Sequence, residues 1–189
     1  MSDRVRVALD AMGGDQAPAE IVAGAVQAAR EYAIGVHLVG REEAIRAELA
    51  KHDTTGLDLP VVHTDEVIEM DEHPADAVRR KKQSSMALAL QLVRDSTAVG
   101  AVSAGNSGAM MATSLLTLKR INGIERPALG GIFPTAKQPG LVLDVGANTD
   151  CKPEYLLQFA LMGSIYMERV FQIPLCGATH PTRPALRPN

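Results

Sequence analysis

Two hydrophobic periods exchange regularly along this chain, and that exchange restricts its fold more than any other feature. Residues 4–9 (RVRVAL) are Val-rich and run into Asp10 and a glycine pair, the signature of a strand ending in a loop. From Pro18 the period changes. Ile21, Val22, Ala25, Val26 and Ala29 share one helical face, and Pro18 suits a first turn. Residues 34–39 read as a second strand, 41–51 as a charged amphipathic helix, and Val61–Val62 as a short strand after Pro60. A charged stretch, 64–85, feeds a helix with Met86, Ala89, Leu90 and Val93 on its apolar face. Residues 98–103 form a buried-strand candidate, followed by a helix with Met111, Ser114, Leu115 and Leu118 inward. Two further strands, 129–133 and 141–145, precede a helix opened by Pro153, with Leu156, Phe159, Ala160, Met167 and Val170 on one side. Such alternation predicts an α/β layer fold with a largely parallel sheet.

Composition bounds the rest. The 189 residues are 46% hydrophobic, enough for a compact domain with a real core. With no Trp, three Tyr and three Phe, that core is built from Ala, Val, Leu, Ile and Met. A net charge of -3 argues against a nucleic-acid binder. Cys151 and Cys176 form neither a disulfide framework nor a metal cluster, which fits a reducing, cytoplasmic compartment. The N-terminus lacks the apolar core of a secretory signal, and no stretch approaches the ~18 apolar residues of a membrane span. No metal or nucleotide motif is visible, so no cofactor is expected.

In parallel sheets ligands bind beyond the carboxyl ends of the strands, so the loops that follow strands carry the chemical information. Asp10-Ala-Met-Gly-Gly-Asp15 follows the first strand. Gly13 and Gly14 let the backbone turn and approach a ligand closely ahead of a helix N-terminus, where an anion is favoured. The same residues also suit a tight turn with Asp15 as a cap. Ser103-Ala-Gly105-Asn106-Ser107-Gly108 lies between a strand and a helix. It reads either as a cradle for phosphate or an oxyanion, or as a helix start capped by Ser103 or Asn106. In the 64–85 stretch a basic run includes Arg79 and Lys82, three apart on one helix face, and precedes Ser84 and Ser85. This is a cationic surface for phosphate or, equally, a solvated run of ion pairs. In the fourth loop Asp144 ends an apolar strand, with Gly146 and Asn148 beyond. Asp144 reads as an acceptor for substrate or for a lysine, or as a cap. His63 and His73 are lesser candidates for a base. Cys151 reads as structural, since no His or Asn is arranged to activate it.

Four segments together carry a specific resemblance: DAMGGDQAP, EVIEMDEHPADAVRRKKQSSM, SAGNSGA, and LDVGAN followed by YLLQFALMG. In this order they resemble the PlsX family of phosphate acyltransferases over residues 4 to about 173. Ser107 is a small departure, since the family more often has Thr there; both supply a hydroxyl. The resemblance implies a three-layer α/β/α sandwich similar to the isopropylmalate dehydrogenase and phosphotransacetylase group, with no nucleotide requirement. It implies transfer of a long-chain acyl group from acyl carrier protein to inorganic phosphate, giving acyl phosphate for phospholipid synthesis. It also implies a homodimer, loosely held at the cytoplasmic face of the membrane. Family chains are considerably longer, so residues 1–173 are expected to be the N-terminal part of the domain, incomplete at the C-terminus. Residues 174–189 hold four of the eleven prolines and leave the family pattern; they read as a disordered terminus or as the scar of a frameshift or truncation.

Under that resemblance the expected catalytic residues are Lys82, Asn106 and Asp144. The expected phosphate-binding and lining residues are Asp10, Gly13, Gly14, Asp15, Arg79, Ser84, Ser85, Ser103, Gly105, Ser107, Gly108 and Asn148. The rivals are a phosphotransacetylase acting on coenzyme A thioesters and a non-catalytic remnant that binds acyl carrier protein or membrane.

Overall fold

The computed structural model describes residues 4–145 and 151–173. They fall into two compact units that divide between Lys119 and Arg120. The first contains β1 (Arg6–Asp10), α1 (Ala19–Tyr32), β2 (Gly35–Gly40), α2 (Glu42–Leu49), β3 (Val61–His63), α3 (Pro74–Arg80), α4 (Ser85–Arg94), β4 (Gly100–Val102) and α5 (Ser107–Thr117). The second contains β5 (Gly130–Phe133), β6 (Gly140–Leu143) and α6 (Pro153–Phe171).

The four strands of the first unit make a parallel sheet in the order β3-β2-β1-β4. Helical crossovers between consecutive parallel strands enforce this arrangement. Strand alternation then sorts the side chains. Leu9, Val36 and Leu38 point to one face and pack with Val22, Ala25 and Ala29 of α1 and Ile45 of α2. Ala8 and Val39 point to the other and pack with Ala89 of α4. The result is the expected helix–sheet–helix layering. Leu38 and Ile45 are fully buried, so truncating either to Ala would cost about 2–5 kcal/mol. The register pairs Asp10 with Val39, Leu9 with Val102 and Gly40 with His63. All four carboxyl ends therefore open at one edge of the sheet.

In the second unit β5 and β6 pair antiparallel. Only residues 134–139 join them, too short a link for a parallel crossover. α6 packs against β6 and buries Tyr155, Phe159 and Met167. Leu156 and Val170, expected inward, are exposed. A similar correction applies to α5. It buries Ala109 and Thr113, whereas Leu115 and Leu118 face outward. α5 is apolar on several sides, so its period does not select a face; close packing against α3 and α4 selects the small residues. Asn148 and residues 174–189 lie outside the described residues.

Candidate functional site

The loops after β1 and β4 meet at the carboxyl edge of the sheet. Asp10, the last residue of β1, is only 2% exposed. Its Oδ1 accepts the Met12 N–H at 3.2 Å. Its Oδ2 accepts the Ser103 hydroxyl at 2.7 Å, across 93 residues of sequence. Ser103 Oγ in turn accepts the Gly105 N–H at 3.1 Å. One buried carboxylate thus sets the conformation of both loops.

Gly13 is where they touch. A Cβ at this position would lie 2.7 Å from Asp10 Oδ2 and 2.8 Å from both Gly105 N and Ser103 Oγ. The space expected to admit a ligand at Gly13 is therefore filled by the second loop. Gly14 turns with φ of 102°, in the left-handed region that favours glycine. Asp15 is exposed, and α1 has no side-chain cap, so Asp15 does not cap that helix.

α5 begins directly after this contact. Asn106 is its N-cap, and Oδ1 accepts the Ala109 N–H at 3.0 Å. Asn106 Nδ2 donates to the carbonyls of Met70 at 3.1 Å and Glu72 at 3.0 Å. Both amide N–H groups of Asn106 are therefore engaged. So is the Gly105 N–H, which the sequence reading assigned to an anion. The Ser107 and Gly108 N–H groups, in the first turn of α5, have no acceptor among the described residues. The Ser107 side chain is exposed beside them. Gly108 allows α3 to approach, since a Cβ there would lie 2.8 Å from Pro74 Cγ. What remains for an anion is a smaller cradle than the sequence suggests: two N–H groups, one hydroxyl and the positive end of the helix dipole.

The basic run is divided by Glu72. Lys81 Nζ pairs with Glu72 Oε1, and Arg80 lies 3.9 Å from Oε2. The Glu69 N–H above all, and then Lys81, hold the Glu72 carboxyl below its ordinary range. Arg79 and Lys82 are exposed and have no partner among the described residues. Ser84 and Ser85 stand at the start of α4. Both are fully buried, and Ser84 Oγ accepts the Ala87 N–H at 3.3 Å as the N-cap of α4. His63 Nδ1 accepts the Glu42 N–H at 3.3 Å at the start of α2, and His73 precedes α3 with Asp76 3.7 Å away. In the second unit Asp144 has φ of 64°, donates its N–H to the Leu129 carbonyl, and accepts the Cys151 thiol at Oδ2 at 3.0 Å.

Sequence reasoning missed the lacing beneath the acidic loop. Thr64 Oγ1 donates to the Gln83 carbonyl, Glu66 Oε2 accepts the Gln83 N–H, and Asn106 holds the Met70 and Glu72 carbonyls. Only the Asn106 cap had a local signal.

The model of the fatty acid synthesis protein family matches residues 5–177. The chain belongs to the fatty acid synthesis protein family. It is 58% identical over 171 residues to a phosphate acyltransferase of Herpetosiphon aurantiacus, covering 90% of this chain and 46% of that protein. It is 54% identical over 170 residues to the phosphate acyltransferase of Trichlorobacter lovleyi, covering 90% of this chain and 49% of the relative. The chain thus spans about half the length of the curated relatives it matches. In fold it is similar to a phosphotransacetylase from Streptococcus pyogenes, with a TM-score of 0.69 at 16% identity, covering 92% of this chain and 56% of that one. EutD phosphotransacetylase from Staphylococcus aureus gives a TM-score of 0.62 at 17% identity, covering 90% and 54%. At such identities the likeness concerns the fold alone, and it agrees with the expected α/β architecture. No helix among the described residues is long and apolar enough to cross a membrane.

Proposed function

We propose that this chain supplies the phosphate-holding part of an acyltransferase that moves a long-chain acyl group from acyl carrier protein to inorganic phosphate. A phosphate oxygen attacks the thioester carbonyl, the C–S bond breaks, and the carrier protein leaves as its thiol. Such a reaction needs position and charge rather than a covalent intermediate. One observation carries this reading: two sheet-edge loops, held together by Asp10 and Ser103, lead into the start of α5, where the N–H groups of Ser107 and Gly108 have no acceptor among the described residues. Kinship with proteins named phosphate acyltransferase supports the choice of reaction.

In this reading Ser107 and Gly108 hold phosphate, Arg79 and Lys82 add positive charge, and Asn106 positions the cradle. Asp10, Gly13, Gly14, Ser103 and Gly105 form the scaffold beneath. No cofactor takes part. Use of the product for phospholipid synthesis, a homodimeric full-length form and residence at the cytoplasmic membrane face belong to the same reading, on the strength of family membership.

Ser107→Pro provides the test. Ser107 is the first residue of α5, where Pro is well tolerated, and Asn106 already has the extended ψ of 110° that a following Pro prefers. The change removes one N–H and the hydroxyl while sparing the helix. It is to be made in a chimera that joins residues 5–173 to the remaining half of the Herpetosiphon relative. Acyl phosphate formation from acyl carrier protein thioester should fall roughly 10²–10³-fold, as for loss of an oxyanion donor. Undiminished turnover in a folded variant would remove the cradle from the reaction. Preference for a coenzyme A thioester would favour the phosphotransacetylase reading. Carrier-protein binding without turnover would favour the remnant.

A further inference from the structure

We infer that Asn122 is a site of spontaneous covalent modification, where the chain loses ammonia and its backbone rearranges. The inference rests on neither the family nor the reaction. Residues 121–124 (INGI) form a turn in the second unit, closed by the Ile124 N–H donating to the Ile121 carbonyl at 3.0 Å. Gly123 has φ of 86° and Asn122 has no positive φ, which makes this a type II turn with glycine at the position that demands it. Ile121 is 74% exposed, and Asn122 and Gly123 are exposed beside it. A Cβ at Gly123 would have nothing within 4 Å. Neither the Gly123 N–H nor the Asn122 side chain makes a hydrogen bond among the described residues.

These features leave a nucleophile and its target unrestrained side by side. The Gly123 nitrogen attacks Cγ of Asn122. The new N–Cγ bond forms, the Cγ–Nδ2 bond breaks, and ammonia leaves with the proton of the Gly123 N–H. Gly123 has no Cβ to obstruct the closure. Water then opens the five-membered imide at one of its two carbonyls. One opening leaves an aspartate at position 122. The other leaves an isoaspartate, whose main chain runs through the side chain and is longer by one carbon. Asn106 is the contrast within the same molecule. It too precedes a small residue, Ser107, but its Oδ1 caps Ala109 and its Nδ2 is held by the Met70 and Glu72 carbonyls. The turn at Asn122 also has something to disturb. Arg120 Nη1 donates to the Glu125 carbonyl across it, and the Glu125 N–H donates to Gln158 Oε1 of α6 at 2.8 Å. An extra main-chain carbon and a new negative charge between Arg120 and Glu125 loosen the tie of this loop to α6.

The test ages the 189-residue chain in warm, mildly alkaline buffer and follows tryptic peptides by mass spectrometry. The peptide that begins at Ile121 should gain about one mass unit and separate into two products, one of them a substrate for an isoaspartate-specific carboxyl methyltransferase. Conversion at Asn106 should lag by about tenfold or more, because three hydrogen bonds must break first. Asn122→Gln, which closes a less favourable six-membered ring, should abolish the gain at this position. In the isoaspartyl form, hydrogen exchange at the Glu125 amide should speed up roughly tenfold, while the Asn122→Gln chain treated alike should not change. An intact Asn122 after Asn106 has converted, or equal rates at the two positions, would overturn the assignment. Unchanged exchange at Glu125 in the isoaspartyl form would overturn the effect on the loop. None of these readouts involves turnover, so they stand apart from the test of the reaction.

Discussion

Ser103→Ala probes the contact on which the site is built. The hydroxyl donates to Asp10 Oδ2 at 2.7 Å and accepts the Gly105 N–H at 3.1 Å. Its loss strips a partner from a carboxylate that is 2% exposed and from a backbone donor in the adjoining loop. A hydrogen bond to a charged group contributes about 1.5–3 kcal/mol and a neutral one about 1 kcal/mol. The expected loss is therefore about 2.5–4 kcal/mol, or a fall in melting temperature of roughly 5–15 °C. Thermal and urea unfolding of the variant measure it. Ser103→Thr, which keeps the hydroxyl, should recover most of the stability. The decisive form is a double-mutant cycle with Asp10→Asn, in which residues in direct contact should show a coupling energy of about 1 kcal/mol or more. Additivity to within about 0.3 kcal/mol would mean that the two residues do not hold each other, and the argument for one shared scaffold would fail.

Glycine substitutions separate close approach from conformational freedom. Gly13→Ala places a methyl within 2.8 Å of three atoms and should destabilise by at least about 2 kcal/mol. Gly24→Ala, in the exposed middle of α1 with nothing within 4 Å, should stabilise by roughly 0.5–1 kcal/mol; equal effects in a melting comparison would contradict this. Asn106→Asp keeps the cap on Ala109 but turns an acceptor towards the Met70 and Glu72 carbonyls. Hydrogen exchange should speed up about 10–100-fold over residues 69–73 with α5 little changed, and uniform protection would refute the pinning role. The Glu72 carboxyl is held low by the Glu69 N–H and then by Lys81, so its contribution is full above about pH 4.3 and disappears as pH falls through the folded value. Wild type and Glu72→Gln should differ at neutral pH and converge on acidification, whereas a constant gap from about pH 7 to 3 would oppose that reading.

Local periodicity exposed the elements but not their meeting points. The α1 face was legible because Val22, Ala25, Val26 and Ala29 fall on one stripe, and all four are buried. α5 offered no such stripe, and its inward residues, Ala109 and Thr113, are chosen by what packs against it. The four-stranded sheet followed from strand–helix alternation, yet no local signal said that β4 would lie beside β1. That neighbour relation alone joins Ser103 to Asp10. It also changes what Gly13 means, from room for a ligand to room for a second loop. Asn106 was readable as a cap, since Asn before an apolar run is a helix start. Its two donor bonds to residues 34 and 36 positions away were not. Likewise, which cations of the run remain free depends on Glu72, whose approach to Lys81 comes from the fold of the acidic loop.

Titration of the isotope-labelled chain with inorganic phosphate, read amide by amide in nuclear magnetic resonance spectra, addresses the cradle directly. Saturable shifts concentrated at Ser107 and Gly108, with smaller ones at Gly13, Gly14 and Gly105, are the predicted result. Shifts confined to other loops, or none at these five amides at any phosphate concentration tried, would contradict the convergence of the two sheet-edge turns on one anion.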